Sequence, residues 1–135
     1  MKVTKNMRDY LTKQAQNKFE EWATPYRDRV QEIYDEQNEA LTEATKKAVN
    51  TFIDTLYALG CDDTAEYFEK EKDRIGMHYP YYTTSRNIPE IDTLNKKIDT
   101  AHKKMNDDLD RIFFEAEAGG DKDSLLEAIN NIKFN

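Results

Sequence analysis

The sequence predicts an all-α protein, an elongated antiparallel helical bundle, and three observations carry that expectation. Breakers are scarce, with 4 Gly and 3 Pro in 135 residues, so regular structure is rarely interrupted. Apolar residues recur three and four positions apart over long stretches, the period of one helix face. The 8 Tyr, 6 Phe and 1 Trp supply core material that disordered chains lack.

The first long helix is expected over about 5–23. Met7, Leu11, Ala15, Phe19 and Trp22 share one face. Thr24-Pro25 is read as a stop: proline disfavours the helical conformation in the residue before it. Thr24 then caps a second helix that has Pro25 at its first position.

That second helix is expected over about 25–59. Its stripe runs Tyr26, Val30, Ile33, Gln37, Ala40, Ala44, Ala48, Phe52, Leu56 and Leu59, widened by Leu41, Val49 and Ile53. Gly60 is its natural C-terminal stop. A short helix follows over about 63–75, with Asp63 and Glu66 spaced as a capping box and Gly76 as its end. Met77 to Ile88 reads as a loop rich in aromatic rings.

The third long helix is expected over about 89–118, starting at Pro89. Ile91, Leu94, Ile98, Ala101 and Met105 form a heptad seam that Leu109, Ile112 and Ala116 continue. Gly119-Gly120 ends it, and Leu125, Leu126, Ile129 and Ile132 anchor a last short helix over about 123–131. With no repeat or linker in view, residues 1–135 are expected to form a single domain. Stripes that continue close to the helix ends leave a homodimer open beside a monomer.

Charge narrows the partners. The formal net charge is −7 and the isoelectric point is near 4.9. Neither direct nucleic-acid binding nor an anionic membrane is expected, since both need a basic surface. A single cysteine, Cys61, cannot close an internal disulfide, and the first ten residues lack an apolar signal core. The expected location is therefore cytoplasmic. Cys61 itself is read as a small packed residue, because Asp62 and Asp63 beside it disfavour a thiolate.

Two acidic clusters stand out. Glu32, Glu36, Glu39 and Glu43 follow four-three-four spacing on one face, with Asp35 beside them. Asp107, Asp108 and Asp110 form the other, with Glu115 and Glu117 beyond. Each reads as a solvated outer face or as a row of carboxylates that imitates nucleic-acid phosphates. Phosphates recur at about 3.4 Å per strand and helical turns at about 5.4 Å, so any match of density is loose.

Catalytic signals are thin. Asp99 and His102 stand three apart on the third long helix, but a diiron bundle needs two Glu-x-x-His pairs and further Glu on other helices, and here a single pair occurs, with Asp. No glycine-rich phosphate loop, zinc spacing or nucleophile elbow is present. No enzyme activity, metal or other cofactor is expected.

His78, Tyr79, Tyr81, Tyr82 and Arg86, a tyrosine cluster around Pro80, read either as rings that cover the end of the bundle or as the expected partner contact. Tyrosine buries a large area at low entropic cost and is enriched at interface hot spots. The expected function is a non-catalytic protein-binding module, regulatory or inhibitory, with a protein partner. Its sharpest form is a phage-type inhibitor that occupies the basic groove of a host nucleic-acid enzyme. The alternatives are a self-assembling coiled-coil scaffold and, behind it, a metal-dependent helical-bundle enzyme.

Overall fold

The computed structural model describes residues 1–78 and 87–135, and the side chains of residues 75–78 stand outside that description. Four helices and no strand occur among the described residues: α1 (Lys5–Ala58), α2 (Asp62–His78), α3 (Pro89–Glu117) and α4 (Lys122–Asn130). The all-α class holds. The chain divides into two compact units, Met1–Val30 with Pro89–Asn135, and Gln31–Ile88. The boundary at Val30 falls within α1.

The expected break at Thr24-Pro25 is absent, because α1 runs through Pro25 as one helix of 54 residues. An internal proline removes one ladder hydrogen bond and costs about 3 kcal/mol. Packing of the preceding turns, with a ring contact across the proline, offsets that cost. Ala23 is fully buried, and Phe19 nearly so. The Trp22 and Tyr26 rings pack 5.0 Å apart across the proline turn. Thr24 does not cap a new helix; its hydroxyl donates to the Glu20 carbonyl at 2.7 Å. Arg27 pairs with the Glu20 carboxylate and lies over the Phe19 ring.

The first unit holds the larger core. Leu11, Ala15 and Phe19 of α1 pack with Ile98, Ala101, Met105, Leu109, Ile112, Phe113 and Ala116 of α3 and with Leu125 and Ile129 of α4. Nearly all of these lie on the stripes the sequence predicts. Phe113 is the addition: it is 2% exposed, while its neighbour Phe114 is 73% exposed. Phe134 folds back to meet Phe19 and Trp22, with ring centroids 5.8 and 5.9 Å away.

The joints use glycine where the backbone needs it. Gly60 sits at φ +78°. Its N–H donates to the Tyr57 carbonyl and the Cys61 N–H to the Leu56 carbonyl, the paired bonds of a Schellman stop. Gly119, also at positive φ, ends α3 in the same pattern. The Met1 ammonium donates to the Ala116 and Gly120 carbonyls at 3.0 and 3.1 Å, satisfying acceptors at that helix end.

The second unit pairs the latter part of α1 with α2. Only Ile33, Thr45, Ile53 and Ala65 are buried among its described residues. Two expectations shift here. α2 begins at Asp62 rather than Asp63, and it continues past Gly76 to His78, so Gly76 does not end it. The predicted stripe also buries less than expected: Ala40, Ala44, Ala48, Phe52 and Leu59 remain exposed.

Candidate functional site

The acidic face of α1 is built by the helix alone. One turn of helix carries the chain forward about 5.4 Å, so the four-three-four spacing sets Glu32, Glu36, Glu39 and Glu43 in a row. All four, and Asp35 beside them, are exposed. Asp35 accepts from the Gln31 amide at 2.9 Å, and Glu43 stands 4.0 Å from Lys46. The row is therefore brought together as expected, on the surface of the second unit.

The acidic cluster of α3 has a different character. The half-buried Asp108 carboxylate takes Lys104 at 3.0 Å and Arg111 at 3.7 Å. Arg111 also reaches Glu115 at 3.6 Å, and Arg8 reaches Glu117 at 3.5 Å. Asp107 and Asp110 are exposed. Lys104, Arg111 and Arg8 thus offset part of this cluster's charge within the molecule.

Of the tyrosine segment, the backbone of His78 closes α2, while Tyr79, Tyr81, Tyr82 and Arg86 lie outside the described residues. The other reactive groups are dispersed. Among the described residues no three His, Cys, Asp or Glu side chains converge on one point. His102 is exposed, with its ring centroid 5.1 Å from that of Phe19. Cys61 is not the packed residue expected from sequence; it is exposed, because the Schellman turn holds it at the open start of α2. Near it, partial desolvation and then Glu66, Glu69 and Asp62 push the Tyr57 phenol above its usual range. Lys72 is also raised, first by its hydrogen bond to Glu69.

One feature the sequence reading missed lies in the second unit. Leu41, Ala44, Thr45, Ala48, Val49 and Phe52 of α1, with Phe68 of α2, line an open apolar groove of about 450 Å³. Phe52 and Phe68 meet edge to face at 5.0 Å and close one end. The signal that could have found it was the alanine content of the stripe. Alanines at positions 44 and 48 leave room beside α1 that no described residue of α2 fills. Comparison with protein-family models, with curated proteins and with solved structures finds no match to this chain.

Proposed function

We propose that this chain is a non-catalytic protein-binding module that presents the acidic face of α1 to a basic partner. The observation that carries the reading is the row Glu32, Glu36, Glu39 and Glu43, all exposed on one face of α1. Like charges one turn apart each destabilise a helix by a few tenths of a kcal/mol. An oppositely charged partner would relieve such repulsion. In its sharpest form the partner is a nucleic-acid enzyme whose basic groove the row occupies, making the chain an inhibitor.

The test is an affinity pull-down from nuclease-treated lysate, comparing the wild type with the Glu39→Lys, Glu43→Lys double variant. Capture of a basic protein by the wild type alone supports the reading. Equal capture by both removes the acidic face from it. For a captured nucleic-acid enzyme, failure of added DNA to displace the chain would exclude the groove-occupying form.

A further inference from the structure

We propose that the open groove of the second unit is a self-association surface, on which two copies of this chain meet with their α1 helices antiparallel. Three observations on the groove point to a second copy rather than to an unlike partner.

The first is charge. None of the seven lining residues is ionisable. Each copy carries a formal charge of −7. Two such chains approach most easily through a face that brings no carboxylates together. An unlike partner chosen by electrostatics would be met by the acidic row instead.

The second is self-complementarity, which a two-fold interface requires. The α1 stripe carries its largest groups, Leu41 and Phe52, equidistant from the Lys46–Lys47 peptide, with the smaller Ala44, Thr45 and Ala48 between them. In an antiparallel pair, large groups of one copy fall beside large groups of the other at both ends. The small residues fall at the crossing, where the helices come closest.

The third is polar satisfaction. The Thr45 hydroxyl donates to the Leu41 carbonyl at 2.8 Å. At the margin, the Thr51 and Thr55 hydroxyls donate to the Lys47 and Thr51 carbonyls at 3.0 and 2.8 Å. Covering this face would leave none of these hydroxyls without a partner, the usual penalty for burying polar surface. The groove spans about three helical turns, so the pair would sit below the ~800 Å² per partner of a standard interface. Its formation would depend visibly on concentration.

Sedimentation velocity of the full chain from micromolar to millimolar concentration tests the proposal. The wild type is expected to shift from monomer to dimer, and Ala48→Glu to raise the dissociation constant by more than an order of magnitude. Ala48 is exposed in the single copy and glutamate is a good helix former, so far-ultraviolet circular dichroism should be unchanged. Should Ala48→Glu lose helix, Ala44→Glu takes its place. Asn50→Glu adds the same charge outside the groove and should leave the dimer intact. A wild type that stays monomeric throughout overturns the proposal. So does a dimer that survives the groove variants, or one that Asn50→Glu disrupts equally.

Discussion

Adjacent residues on this chain have opposite fates, and Phe113 and Phe114 are the sharpest case. Phe113 is 2% exposed and sits under the Arg8 guanidinium, whereas Phe114 is 73% exposed. Phe113→Ala is expected to cost about 3–5 kcal/mol in urea unfolding, from lost transfer energy and a cavity. Phe114→Ala should stay within about 0.5 kcal/mol of the wild type. Asp121 is a second decisive residue. Its carboxylate caps α4 by accepting the Ser124 N–H at 2.8 Å, and that bond holds its pKa below the usual aspartate range. A carboxyl whose folded pKa is depressed stabilises above its unfolded pKa, near ~4, and loses that contribution as pH falls through the folded value. Asp121→Asn keeps an acceptor but not the charge. The thermal midpoints of wild type and Asp121→Asn should therefore differ at neutral pH and converge as pH falls through the depressed folded value. A gap that persists in acid would show that the charge is not what stabilises this cap.

Helix boundaries turn on what surrounds a breaker rather than on the breaker alone. Gly60 behaves as its chemistry suggests, at φ +78° with open space where a Cβ would stand. Gly60→Ala should therefore cost about 1–2 kcal/mol through backbone strain alone, with no steric clash to relieve. Pro25 and Gly76 do not stop their helices. At Pro25 the buried Phe19 and Ala23 and the Trp22–Tyr26 contact hold helical geometry against the lost hydrogen bond. Pro25→Ala is expected to stabilise the protein by up to about 3 kcal/mol. A chain with two helices and Pro25 at the first position of the second would instead gain nothing from that change, or lose stability. Denaturant midpoints of the two proteins separate these cases.

For the whole molecule, charge and apolar surface occupy different faces. The net charge is −7, and on α3 part of the carboxylate charge is offset by Lys104 and Arg111. Capture of a basic partner should weaken steeply as salt is raised past physiological strength, since the Debye length falls from ~10 Å at 0.1 M to ~3 Å at 1 M. Self-association through the uncharged groove should instead hold or strengthen, because salt screens the repulsion between two acidic copies. Opposite salt responses in pull-down and sedimentation would therefore assign the two faces to two tasks.

What the sequence determines by itself is local and periodic. The 3.6-residue repeat of Leu11, Ala15 and Phe19, and of Ile98 to Ala116, is enough to name most of the first unit's core. The spacing of Glu32 to Glu43 fixed a shared face because a helix needs no partner to align residues a turn apart. Only the tertiary structure decided the rest. It carried α1 through Pro25, because burial of Phe19 and Ala23 and the Trp22–Tyr26 contact outweigh one missing hydrogen bond. It put Phe113 inside and Phe114 outside, a choice that depends on where α1 lies. It left Ala44, Ala48 and Phe52 uncovered although they fall on an apolar stripe. Periodicity tells which residues share a face. Whether a neighbouring helix is long enough and close enough to cover that face is a property of the packed chain.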